Sequence, residues 1–301
     1  MSLGFEVRPS DTPLVDCVWR SRSSDVGQLV SVSSSHWHLV VGEIEGLTEV
    51  TLHGPETRAT KAPVPPDATW VGIRFQLGAV LQDLAVAGLV DRSLTLPPAC
   101  HRSFWWKGTA WRLPTYDNAE GLVERLVRED LIGSEPVVDD ALCGTSAELS
   151  LRTIQRRFHT ATGLTRRAVR QIERARLAGV RLREGATPAE VTHELGYYDQ
   201  PHLTRSLRRF LGQTPAELAD PSRDEQLSLL YKTDAAGSPA VPFERIRRPS
   251  SRVPRHEQPV TSVQDRCSGR PYVAVDRRPA HERQRDEESR PRDHDHPERQ
   301  A

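Results

Sequence analysis

Lysine is almost missing from this chain: three residues, Lys61, Lys107 and Lys232, stand against 38 arginines, a usage that points to GC-rich coding. Long apolar runs are missing as well. No stretch approaches the roughly 18 residues of a membrane span, which excludes a transmembrane helix. The four cysteines, Cys17, Cys100, Cys143 and Cys267, lie far apart without a CxxC pair, so neither a disulfide framework nor a zinc ribbon is supported. Their isolation also argues against a DNA-repair methyltransferase, which needs a reactive, metal-bound cysteine cluster. MSLGFEVRPS shows neither a basic n-region nor an apolar h-region, and the compartment expected is the cytoplasm. Net charge is absent too, with 41 basic residues matching 41 acidic ones.

That zero hides an asymmetry. Residues 1–135 hold 12 Lys/Arg and 17 Asp/Glu, a balance of −5, whereas residues 149–213 hold 13 Arg and 5 acids, a balance of +8. A basic block within a neutral chain is the signature of a local polyanion-binding surface. Organisation changes with charge. Residues 1–115 alternate short apolar runs such as HWHLVVGEI and TWVGIRFQLG with Gly, Pro and Thr, which predicts strands. GAVLQDLAVAGLVD (78–91) reads as a helical interruption, and NAEGLVERLVREDLI (118–132) as an amphipathic helix built on Leu122, Val123, Leu126 and Ile132. GSEP at 133–136 marks a boundary. The fold class expected is therefore α+β: a β-rich regulatory domain (1–135), an all-α domain (137–220), and a tail (236–301). The tail's nine prolines, 14 arginines and 11 acids predict disorder.

The helical block repeats one design. In QPHLTRSLRRFLG, Leu203, Leu207, Phe210 and Leu211 share a face opposite Pro201, His202, Arg205, Arg208 and Arg209, with Asp199 as N-cap and Gly212 as stop. Upstream, TPAEVTHELG opens with a capping box of Thr187 and Glu190. About fifty residues earlier, LSLRTIQRRFHTATG has Ser150 as N-cap, Leu151, Ile154 and Phe158 inward, Arg152, Gln155, Arg156 and His159 outward, and Gly163 as stop. A longer helix capped by Thr165 joins the two, with Val169, Ile172, Ala175 and Leu182 facing in. Two short helices around a glycine turn, the second basic, is a helix-turn-helix pattern, and here it occurs twice. Arginine can bond guanine O6/N7 and glutamine adenine N6/N7 in pairs, so early helix positions suit base edges and later arginines suit phosphates.

These residues, above all RQIERARLA and LGYYDQPHLTRSLRRFLGQTPAEL, resemble the AraC/XylS family of bacterial transcription regulators over roughly 137–220. The resemblance implies a double helix-turn-helix domain whose recognition helices enter successive major grooves of double-stranded DNA. It places base contacts at Arg152, Gln155, Arg156, Gln200, Pro201, His202 and Arg205, and backbone contacts at Ser150, Arg157, Arg208 and Arg209. Pro201 departs from the pattern, since it cannot donate a hydrogen bond, and Gly144 with the poor helical pattern of ALCGTSAEL predicts an irregular first subdomain. RNA polymerase and a small-molecule effector are the further partners implied, with no membrane and no cofactor.

The family's preceding domain is often a cupin-like β-barrel, and the strands of 1–115 fit that. His36, His38 and Glu43 in HWHLVVGE match the first metal motif of enzymatic cupins, so a metal-dependent cupin-type enzyme carrying a DNA-binding module is the alternative. The second motif is missing, and neither a metal nor catalysis is expected. Trp37, Trp70, Phe104, Trp105, Trp106 and Trp111 are read as core, with a ligand pocket as the other option.

Overall fold

In the computed structural model, which describes residues 3–100, 102–143, 149–220 and 274–276, the alternating runs of the first 112 residues pair into antiparallel sheets. The strands are β1 (Leu3–Pro9), β2 (Val15–Ser23), β3 (Gly27–Ser31), β4 (His38–Ile44), β5 (Leu47–His53), β6 (Thr60–Val64), β7 (Thr69–Phe75), β8 (Ala79–Leu81), β9 (Arg92–Leu96), β10 (Pro98–Cys100), β11 (Ser103–Trp106) and β12 (Thr109–Arg112). Helix α1 (Ala119–Arg128) and β13 (Ile132–Ser134) complete this part. Five helices follow: α2 (Pro136–Cys143), α3 (Leu151–Thr162), α4 (Arg166–Arg183), α5 (Pro188–Glu194) and α6 (Gln200–Leu211), with a short α7 (Pro215–Ala219) behind them. The chain is thus a β-rich region succeeded by helices, as the sequence predicts.

The main sheet runs in the order β1-β2-β7-β4-β5-β9 and is extended at its edge by β14 (Ala274–Asp276), antiparallel to β9. These three residues depart from the disorder expected of 236–301, the rest of which lies outside the described residues. Two-residue turns close β4–β5 and β11–β12. Glu45, Gly46, Lys107 and Gly108 all have positive φ, which is the twist that suits a tight hairpin. One face of the sheet, with Val18, Leu39, Leu52 and Ile73, is buried under α1, Phe104, Trp106 and Trp111. Trp37 stacks on Phe75 with ring centroids 3.7 Å apart. Four of the six aromatics named from the sequence, Trp37, Phe104, Trp106 and Trp111, are core; Trp70 and Trp105 are only partly covered.

One expectation fails. Residues 78–91 are not a helix: they form β8, paired with β13, and then a single 3-10 turn at Val86–Leu89. Alanine and leucine favour a helix weakly. Here Ala79, Leu81, Val86 and Leu89 bury more apolar surface by lying along the sheet's core side, and packing overrides propensity.

Candidate nucleic-acid interface

The capping residues read from the sequence shape the helical part. Ser150 accepts a hydrogen bond from Thr153 N, Thr165 from Ala168 N and Asp199 from His202 N, while Thr187 and Glu190 form the reciprocal capping box. Gly163 and Gly212 adopt the left-handed conformation that stops α3 and α6. Ile154 and Phe158 of α3 pack with Val138 and Ile172, and Leu203, Leu207 and Leu211 of α6 pack with Val191 and Leu182. Leu151 is a correction: expected inward, it is 74% exposed, because it is the first helical residue and lies ahead of the turn that meets α2. Tyr198, just before α6, is 92% exposed. An apolar or aromatic group therefore stands in the open beside the N-terminus of both α3 and α6.

A broad cleft of about 1410 Å³ lies beneath these helices. Its lining brings together Arg152, Gln155 and Arg156 of α3 with His202 of α6. Gln200, Pro201 and Arg205 are exposed on α6 but outside the lining, and Ser150, Arg208 and Arg209 are exposed too. Arg157 is engaged within the protein, donating to both carboxylate oxygens of Glu135 at 3.0 and 2.6 Å. Glu135 also accepts from Val137 N, so it ties the start of α2 to α3.

The sequence reading missed the contribution of α4. Arg166, Arg167, Arg170 and Arg174 all line the cleft, and the only carboxylates in the lining are Asp16 and Glu173. Arg166 Nε is buried with no partner among the described residues, and burial, with Arg170 nearby, pulls its guanidinium below the usual range. A cavity so charged attracts an anion that can replace lost water. The i, i+3, i+7 spacing of Arg167, Arg170 and Arg174 was the signal available. By contrast, Arg181 at the far end of α4 is neutralised by Glu184 and Glu194.

The β-rich region grips the same helices. The carbonyls of the last turn of a helix lack internal donors. In α6 they are met from the sheet side: Ala59 N donates to Arg209 O at 2.9 Å, and Ser33 N and Oγ donate to Phe210 O at 2.8 and 2.9 Å. On α4, Arg176 donates to Ser33 O and Glu173 accepts from Ser35 Oγ. The end of α3 sits on the 3-10 turn, where a Cβ on Gly163 would lie 2.5 Å from Val90. The N-terminal halves of α3 and α6 are left open.

The metal motif does not assemble. His36 precedes β4, bonds Phe75 O through Nδ1 and lines the cleft, while His38 lines a different cavity and Glu43 lies at the far end of β4. Among the described residues no group of three or more His, Cys, Asp or Glu side chains is placed to hold a metal ion. Burial pushes the Cys17 thiol up to about 11, which leaves it inert as a nucleophile.

The family model described as a helix-turn-helix domain matches residues 144–220. The match supports an AraC-like helix-turn-helix DNA-binding domain in these helices. The match covers α3 to α7 and supports DNA binding of the transcription-regulator type. No curated protein and no solved structure matches the chain. No helix among the described residues is long and apolar enough to cross a membrane.

Proposed function

We propose that this protein is a cytoplasmic, sequence-specific regulator of transcription that reads two successive major-groove segments. In this reading residues 137–220 bind DNA, and residues 1–135 modulate that binding in response to a small molecule. RNA polymerase is the downstream partner. The α3 readers are Arg152, Gln155 and Arg156, and the α6 readers are Gln200, Pro201, His202 and Arg205, with Pro201 limited to apolar contact. Ser150, Arg208 and Arg209 serve the phosphates, and Arg157 joins them only by leaving Glu135. The observation that supports this reading is the exposure of two capped basic helices beside one cleft whose lining holds eight arginines against two carboxylates.

The test is selection of binding sites from a random duplex library by the full chain. The expected product is a bipartite motif with half-sites about 10 bp apart. Arg205→Ala should weaken binding by ~1–3 kcal/mol and relax preference at one base pair, whereas Arg208→Ala should weaken all sequences alike. An unchanged motif for Arg205→Ala would remove that residue from the readers.

The α4 row makes a separate prediction. Arg167→Ala with Arg170→Ala should leave the selected motif intact and reduce the slope of log K against log salt by about 2, one per lost phosphate contact. Titrations at several salt concentrations measure it. A slope equal to that of the unaltered protein would show that these arginines contact no phosphate.

A further inference from the structure

The face of the main sheet opposite its core looks into a second cavity, of about 450 Å³, roofed by the β3–β6 ribbon. Strand register orders its floor. Cys17, Arg74, His38 and His53 stand in one row across β2, β7, β4 and β5; Trp19, Gly72 and Val40 stand in the next. Trp19 can lie flat only because Gly72 has no side chain, since a Cβ there would fall 2.1 Å from the indole. Beyond it are Trp70 and Phe5, the latter tilted on Trp19 at 6.1 Å. The cavity is thus aromatic at one end and polar at the other, where Glu56 accepts from Ser31 Oγ at 2.8 Å.

Two features restrict what fits. The fixed charges at the polar end are already matched: Arg74 is paired with Asp16, and Arg176 bonds Ser33 O and neighbours Glu173. An ionic ligand would therefore bury a charge with no counterpart. Second, Trp19 Nε1 is a buried donor with no partner among the described residues, which calls for an acceptor atom or π face on whatever occupies the cavity. Burial pushes the Glu56 carboxyl up to about 7, aided by Asp91 and opposed by the Ser31 hydrogen bond and Arg176, so near neutral pH it can meet a neutral hydroxyl or N–H without a full charge.

The roof of the cavity is also the seat of α6. Along β3, Leu29 and Ser31 face the cavity, while Val30 packs with Leu207 and Leu211 of α6, and Val32 touches both. Ser33, two residues from Ser31, bonds Phe210 O. We propose that this cavity binds a small aromatic molecule with a neutral hydrogen-bond donor, phenol-like or indole-like, and that occupancy is transmitted through the β3–β6 ribbon to the C-terminal end of α6. The effect on DNA rests on the regulator reading above; the binding and the change at α6 do not.

The test uses the full chain and four probes on one ring: 2-naphthol, naphthalene, 2-naphthoate and 2-(aminomethyl)naphthalene, titrated calorimetrically. The expected result is one 2-naphthol per chain, bound at least about tenfold more tightly than the other three. Glu56→Leu should erase the preference over naphthalene, and Ala62→Phe, which fills the cavity from its lining, should abolish binding while melting as the unaltered chain does. Tightest binding of either ion overturns the chemical class. No binding, or binding indifferent to Ala62→Phe, overturns the site. Hydrogen exchange at residues 207–212 reads the coupling without DNA: 2-naphthol should alter protection there, and unchanged protection with the cavity filled refutes transmission. On a selected DNA site, 2-naphthol should shift affinity about fivefold or more, through the α6 half-site. Failure to select any site would count against the regulator reading alone.

Discussion

Asp16→Ala is expected to destabilise the protein by about 3–5 kcal/mol, the loss typical when one partner of a buried ion pair is removed. Its carboxylate and the Arg74 guanidinium are 10% and 7% exposed, and both the Nε and the Nη2 of Arg74 donate to the same Asp16 oxygen. The pairing depends on an irregular strand. The β2–β7 register shifts between Val15 and Cys17, so Asp16 has no strand partner and is re-aimed beside Arg74. Burial alone would raise the Asp16 carboxyl, but Arg74 and then His36 hold it below the usual carboxylate range. Without Asp16, Arg74 would keep its charge among buried neighbours, and Arg74 lines both cavities. Urea unfolding measures the loss, and Asp16→Ala combined with Arg74→Met should recover most of it. A single-variant loss below about 1 kcal/mol would show that the pair is no more than a surface contact.

Glu56 should make stability fall as pH rises from about 4.5 to 7. The unfolded carboxyl releases its proton near the ordinary value, whereas the folded one, desolvated, keeps it up to about 7. Within that window the folded state binds more protons than the unfolded state, so raising the pH favours unfolding, by about 3 kcal/mol across the interval. Above the folded value both states are ionised and the dependence from this group ends. Glu56→Gln cannot titrate, so the difference in unfolding free energy between variant and unaltered chain should grow in the variant's favour over this interval and then level off. A difference that stays flat from pH 5 to 7.5 would place Glu56 in water. Glu120 does not confuse the measurement: the Arg8 hydrogen bond holds it down to about 2, so its contribution is present above the ordinary carboxylate value and disappears only at lower pH.

What the sequence made legible was local. Caps at Ser150, Thr165, Thr187 and Asp199 and glycine stops at 163 and 212 depend on neighbouring residues, and the structure places them as expected. The β-rich character of residues 3–112 also followed, since alternation and turn residues are short-range signals. Features that depend on distant elements did not follow. Asp16 looks like any strand carboxylate until a register shift sets it against Arg74, 58 residues away. Glu56 resembles a loop acid until the ribbon buries it. His36 and His38 look like a same-face pair only if both belong to the strand, and β4 begins at His38. The α4 arginines were overlooked because the helix was read for its apolar stripe and not for the row beside it.

Ser33 and Ala59 at the C-terminal end of α6, and the 3-10 turn at that of α3, give these two helices a common mount. A pair joined only by α4 could flex about its connector and follow targets whose halves are set slightly apart. A pair clamped at both ends to one sheet behaves as a ruler. Each base pair inserted between the halves turns one of them by about 34–36° and moves it by about 3.4 Å, since about 10–10.5 bp make a turn of 34–36 Å. A rigid mount cannot absorb that rotation, so under the two-groove reading proposed above this protein would discriminate among targets by spacer length as well as by base contacts.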